Sequence, residues 1–235
     1  MNKLAVITGG TKGIGKATVL KFLSQGFDVI SCSRNLTELE NLSNEFTSNF
    51  SGQKFFYLQA DLSNKSDIAQ FIKFIKDIGR PIDVLVNNAG LFIPGTVHSE
   101  DDGNLELMIE TNLYSAYYLT RGLIESMKTK KSGHIFTMGS VASIQAYENG
   151  GSYSVSKFAL LGFTKALREE MKPFGIKVTS VLPGATLTAS WEGVDLPSSR
   201  FIKAGDIAST IYGAYTLSDS AVVEEILVRP QLGDI

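Results

Sequence analysis

Tyr153 and Lys157 stand four residues apart, so on a helix they share one face, a turn from each other. A phenol beside an ammonium group is a proton donor and acceptor in waiting. To exchange protons readily near neutrality its pKa must fall from about 10 to about 7, and a cation one turn away supplies much of that fall. Ser140 lies thirteen residues before the tyrosine, and Asn112 interrupts an otherwise apolar helical stretch. When a hydride reaches a carbonyl carbon, negative charge grows on the oxygen. Hydroxyl donors such as those of Ser140 and Tyr153 stabilise that charge where it appears. Each residue also has a plainer use, Ser140 and Asn112 as cap or turn residues and the Tyr/Lys pair as a chance spacing. What points to chemistry is the set, because all four fall at positions that one sheet edge can collect.

A second set could hold the hydride carrier. Thr8-Gly9-Gly10-Thr11-Lys12-Gly13-Ile14-Gly15 follows an apolar run and opens a helical pattern. Glycines at 9, 13 and 15 free the turn of Cβ clashes and let backbone approach a pyrophosphate, while the helix N-terminus offers unpaired N–H groups and positive potential. The G-x-x-x-G-x-G spacing is neither the G-x-G-x-x-G fingerprint nor a P-loop. A site preferring NAD usually places Asp or Glu about 20 residues beyond the glycines to take the ribose 2′-hydroxyl. Ser33-Arg34 occupies that corner here, no carboxylate appears before Glu38, and Lys12 sits within the turn. Two cations at the 2′ position predict a 2′-phosphate, hence NADP(H).

Positioning these residues requires a sheet whose strand ends lie along one rim. β-rich runs at 3–8, 27–33, 55–59, 82–86, 134–138, 177–182 and 225–228 alternate with helical patterns at 15–25, 36–50, 65–78, 104–129, 152–174 and 206–217. The strands are nearly continuous in Val, Ile, Leu and Phe, as strands covered on both faces are. The pattern predicts an α/β, single-domain, doubly wound Rossmann fold: seven parallel strands with six helices on both faces. Asp61, Asn88-Ala89-Gly90, Ser140 and Pro183-Gly184 then all follow strands at the carboxyl edge, where such sheets bind ligands. The stretches 104–129 and 152–174 are apolar almost all round and need partners on two sides. One partner is the sheet; the other is either a second subunit, giving a homodimer or homotetramer, or loops of the same chain.

Composition narrows the function classes. The 235 residues carry 22 Lys+Arg against 24 Asp+Glu, a net charge of −2, which excludes a polybasic nucleic-acid or membrane binder. One cysteine and two histidines leave no internal disulfide and no multi-His metal site. No apolar run approaches the length of a membrane span or a signal-peptide core, so a cytoplasmic protein is expected, with a small-molecule substrate and neither nucleic acid nor membrane as partner.

In its glycine turn, Asp61-Leu62, Asn87-Asn88-Ala89-Gly90, Asn112, Ser140, Tyr153-Ser-Val-Ser-Lys157 and Pro183-Gly-Ala-Thr-Leu-Thr188, in order along nearly the whole chain, the sequence resembles the NADP-dependent branch of the short-chain dehydrogenase/reductase family. The resemblance implies a reversible NADPH-dependent reduction of a small carbonyl compound. Tyr153 would donate or accept the proton, Ser140 would hold the substrate oxygen, Lys157 would bind the nicotinamide ribose, and Asn112 would anchor a relay water. Gly9, Thr11, Lys12, Gly13, Ile14, Gly15, Ser33 and Arg34 would hold the pyrophosphate and 2′-phosphate, Asp61 and Leu62 the adenine. The segment at Asn88, Ala89 and Gly90 would flank the ribose, Thr186 and Thr188 would touch the carboxamide and phosphates, and Pro183 and Gly184 would also contact the cofactor. Substrate would lie against Ser140, Tyr147, Tyr153 and Trp191, under a lid at 187–204 lined by Trp191 and Leu196.

The ending, residues 222–235, departs from the family's frequent Val-Asp-Gly-Gly and looks closer to the branch acting on 3-oxo acids, 3-hydroxy acids or small dicarbonyls. A catalytically silent NADP-binding sensor or scaffold on the same fold is the alternative. It has no physical need of a tuned phenol beside a ribose. A methyltransferase on a related fold ranks below both, because its cofactor carries no pyrophosphate.

Overall fold

Runs of β-branched and aromatic residues separated by amphipathic stretches leave the chain one economical arrangement, a parallel sheet between two helical layers. The computed structural model describes residues 1–50, 52–188, 191 and 193–235, with side chains 47 and 48 excepted. Seven strands, β1 (Leu4–Thr8), β2 (Asp28–Ser33), β3 (Phe55–Gln59), β4 (Val84–Asn87), β5 (Gly133–Met138), β6 (Ile176–Pro183) and β7 (Glu225–Val228), form one sheet in the order β3-β2-β1-β4-β5-β6-β7. Every pairing is parallel. From β1 the chain winds outward through β2 to β3, then crosses back to lay β4 on the other side of β1. That reversal opens a crevice at the carboxyl ends of β1 and β4.

The side-chain alternation of β1 divides the core. Ala5 and Ile7 face a layer with Val19, Phe22, Leu42 and Ile207, from α1 (Gly13–Ser24), α2 (Leu36–Asn49) and α7 (Ala204–Tyr215). Leu4 and Val6 face Phe71, Leu119, Leu123 and Leu167, from α3 (Lys65–Asp77), α5 (Ser115–Lys130) and α6 (Gly151–Met171). Among the described residues no helix is long and apolar enough to cross a membrane.

The stretch 104–129 is not one helix. It divides into α4 (Asn104–Ile109), a π turn at Glu110–Tyr114 and α5, which makes seven α-helices among the described residues where the apolar periodicity predicts six. Hydrophobic spacing cannot register the wider turn, since apolar residues continue through it. Its cause is polar: buried Asn112 is drawn inward to bond other segments. On the outer surface of this region Tyr114, Tyr117, Val155 and Phe158 remain exposed.

Among the buried titratable groups away from the crevice is His134. The His134 ring stacks on Phe136 with centroids 3.9 Å apart, and its Nε2 lies 2.7 Å from Thr179 Oγ1. Thr179 donates its own proton to Val223 O, so Nε2 carries the hydrogen and Nδ1 is left a buried acceptor without a partner. Burial, with nearby Lys177 assisting, pushes the imidazole pKa from 6.5 down to about 3. The unfolded chain therefore binds a proton that the native chain refuses between those values. Stability is full above pH 6.5 and declines as pH falls toward 3, by up to about 1.4 kcal/mol per pH unit. In His134→Phe the drop in Tm between pH 6.5 and 5 should be smaller than in the wild type; an equal drop would mean that other groups govern the acid response.

Candidate active site

The end of β1 is shaped by its glycines. Gly9 has φ +65 and Gly13 φ +51, and the N–H groups of Gly9 and Gly10 both point to Cys32 O on β2. A Cβ on Gly15 would lie 2.1 Å from Gly9 O, and one on Gly10 would lie 2.1 Å from Ser31 Oγ. The first therefore keeps the turn tight, and the second keeps it on the sheet. No side chain caps α1 and its first turn holds no acidic residue, so its N–H groups stay available to an anion at the cleft wall formed by Gly13, Ile14 and Gly15. Thr8 Oγ1 accepts from the N–H groups of both Asn88 and Ala89 at 2.9 Å, and Asn88 Nδ2 donates to Thr8 O at 2.8 Å. Two loops thus become one wall across the β1/β4 crevice. A pyrophosphate-bearing dinucleotide fits this uncapped N-terminus and Cβ-free turn.

The cleft measures about 930 Å³ and runs the length of the rim. Every residue given a catalytic, cofactor or substrate role in the sequence borders it except Asn112. At one end stand Ser33, Arg34, Asp61 and Leu62; at the other Ser140, Tyr147, Tyr153 and Trp191; between them Gly90, Lys157, Pro183, Gly184, Thr186 and Thr188. Asp61 holds its own turn, accepting from Ser63 N and Oγ. At the outer end Lys12 is tied to Glu38, whose carboxyl is held below the ordinary carboxylate range chiefly by that ammonium. Glu38 was visible in the sequence only as the first carboxylate after Arg34; its return to the glycine turn is a tertiary fact.

At the inner end, Ser140 opens a short 3-10 turn. Its Oγ accepts from Ala142 N at 3.1 Å, its N–H donates to Ser143 Oγ at 3.1 Å, and its hydroxyl acts on the Tyr153 phenol, drawing its pKa down. Phe92 packs edge-on against Tyr153 with centroids 4.9 Å apart. Lys157, 3% exposed, donates to Met138 O at 2.8 Å, with Nζ 5.6 Å from the tyrosine ring centre. A Cβ on Gly90 would lie 3.3 Å from Asn112 Oδ1 and 3.4 Å from Lys157 Nζ, so the glycine leaves the ammonium its space.

One expectation changes here. Burial dominates the phenol and lifts its pKa to about 12, the Ser140 hydrogen bond opposing only in part; burial also lowers Lys157 to about 8. The protein alone therefore keeps the phenol protonated. Asn112 stands behind the cleft, its side chain committed: Oδ1 accepts from Leu91 N at 2.7 Å, and Nδ2 donates to Leu91 O and to Ser156 Oγ. Ser156, fully buried, passes the link on by donating to Tyr153 O. Asn112 thus ties the loop after β4 to the turn of α6 that carries Tyr153. Ser143, Ser156 and Phe92 escaped the sequence reading because a supporting serine or phenylalanine has no signature of its own.

Of the segment 187–204, residues 189, 190 and 192 lie outside the described residues. Its base is closed by a bridge between Thr186 and Ile202, and Trp191 packs on Phe201 and faces the cleft. Leu196 does not line it, a correction to the expected apolar lining, since its side chain is exposed to solvent. The unusual ending returns to the rim. Gly184 N bonds Val228 O, Arg229 pairs with Asp234, and Asp234 and Ile235 border the cleft across from Gln145 and Tyr147.

The short chain dehydrogenase family model matches residues 3–196. Sepiapterin reductase of Chlorobaculum tepidum is 32% identical, over 100% of this chain and 99% of that protein. Among solved structures, a metagenomic short-chain oxidoreductase in complex with NADP matches with a TM-score of 0.84 at 29% identity, covering 97% of each chain. An alcohol dehydrogenase from the archaeon Thermococcus sibiricus, complexed with 5-hydroxy-NADP, matches with a TM-score of 0.90 at 25% identity, covering 98% of this chain and 97% of that one.

Proposed function

The chain belongs to the short chain dehydrogenase family, and from that premise we propose that it is an NADPH-dependent reductase of small carbonyl compounds, with Tyr153 as general acid. The observation that carries this reading is the convergence of Ser140, Tyr153 and Lys157 at the inner end of a cleft whose outer end presents Arg34 and Ser33. Two solved relatives are described as complexes with NADP or its 5-hydroxy derivative, which supports the choice of cofactor.

The nicotinamide cofactor supplies the hydride. Around it, the α1 N-terminus and the glycine turn would take the pyrophosphate, Arg34 with Lys12 the 2′-phosphate, Asp61 and Leu62 the adenine, and Lys157 the nicotinamide ribose. Substrate would sit between Tyr147 and Trp191 with its carbonyl oxygen between the hydroxyls of Ser140 and Tyr153. As charge grows on that oxygen both hydroxyls donate to it, and the Tyr153 proton crosses. A phenol near 12 is protonated at pH 7 and still far more acidic than the alcohol formed, so it can supply the proton that reduction needs. Residues 187–204 would act as a lid, and the exposed Tyr117, Val155 and Phe158 would meet a second copy of the chain in a homodimer or homotetramer.

NADPH oxidation followed by absorbance across small aldehydes, diketones, 3-oxo esters and sepiapterin, the compound for which the Chlorobaculum relative is named, tests the reading. Turnover with at least one carbonyl class is expected. Tight NADPH binding with no turnover of any would favour the sensor.

A further inference from the structure

The corner expected to receive a 2′-substituent is ringed by donors from two segments, Thr11 and Lys12 in the glycine turn and the residues after β2. Glu38 rises from the first turn of α2 and sends its carboxylate back into that ring. Oε1 lies 2.8 Å from Lys12 Nζ and 3.1 Å from Asn35 Nδ2. Oε2 accepts from Thr11 Oγ1 at 2.8 Å, and Ser33 Oγ is 3.1 Å from that same hydroxyl. The helix does not need these contacts, because Asn35 caps α2 through the Glu38 backbone N–H. The carboxylate instead makes the contacts that an anionic ligand oxygen would make.

We infer that Glu38 is a specificity-determining residue, an internal competitor that holds the 2′-phosphate donors and so restrains the preference for NADPH over NADH. The inference rests on the cofactor reading above. A 2′-phosphate entering the corner must displace the carboxylate from Thr11 and Lys12 and then sit beside its negative charge. A ribose 2′-hydroxyl meets no such barrier, since it can donate to the carboxylate where it stands. The Lys12–Glu38 pair is largely solvated, with Lys12 69% exposed, so its loss costs the fold little.

The test is fluorescence titration of wild type, Glu38→Gln, Glu38→Asp and Arg34→Ala with NADPH, NADH, adenosine 2′,5′-bisphosphate and 5′-AMP. Glu38→Gln keeps one acceptor oxygen, exchanges the other for an NH2 donor and removes the charge. It should tighten NADPH and the bisphosphate about 5- to 20-fold at low salt and leave NADH and 5′-AMP within about twofold. The gain should shrink at high salt, and Glu38→Asp, which keeps the charge, should stay near wild type. If Arg34→Ala shows that the wild type reads the 2′-phosphate, yet Glu38→Gln leaves NADPH unchanged, weakens it, or tightens NADH equally, the role of Glu38 is overturned alone. If wild type binds the bisphosphate no tighter than 5′-AMP and Arg34→Ala changes neither, the cofactor reading falls and the inference with it.

Discussion

Tyr153→Phe should lower kcat for carbonyl reduction by at least about 100-fold while the Kd for NADPH stays near the wild-type value. The substitution removes one oxygen and keeps the ring that packs against Phe92, so the cleft wall is unchanged and the proton donor is lost. Lys157→Ala should injure both kcat and cofactor binding, because it leaves Met138 O without its donor and strips the expected ribose contact. The contrast separates a proton donor from a structural support. The pH dependence carries a sign as well. With the phenol raised to about 12, alcohol oxidation, which needs the phenolate, should climb as pH rises above neutrality, while reduction keeps its proton donor across the same range. Near wild-type turnover in Tyr153→Phe would refute the mechanism.

Arg34→Ala should weaken NADPH about 10- to 150-fold and leave NADH almost untouched, the scale of one hydrogen bond to a charged group. Arg34 is exposed at the cleft's outer end, and its backbone carbonyl, not its guanidinium, holds Gln59. The side chain is therefore free of a duty to β3, and its fork can take a phosphate in bidentate fashion. The comparison is kcat/KM for both cofactors in wild type and variant. Equal losses for the two would make Arg34 a support of the fold and not a selector.

The strands could be read from composition because a parallel sheet covered on both faces imposes unbroken runs of Val, Ile, Leu and Phe, and β3 and β7 were located to the residue. The rim followed from the strands, since residues after a parallel strand share one edge. What escaped lies where the third dimension acts without a pattern. The π turn is invisible in a continuous apolar stretch, the Asn112–Ser156–Tyr153 chain joins residues from different elements, and Glu38 meets Lys12 across 26 positions. The pKa balance escaped too: spacing shows a cation near a phenol, and only burial shows which effect wins.

The carbonyl of Cys32 holds the glycine turn against β2, and its thiol, the chain's one sulfhydryl, is 1% exposed with burial lifting its pKa to about 12. An alkylating reagent needs a thiolate it can touch, so the sulfur reacts only when the core layer it shares with Ala60 and Leu62, after β3, opens. The protein thus carries its own clock for that opening. The rate at which Cys32 is labelled counts the excursions of that end of the cleft, and a dinucleotide seated against Asp61 and Leu62 would slow the count.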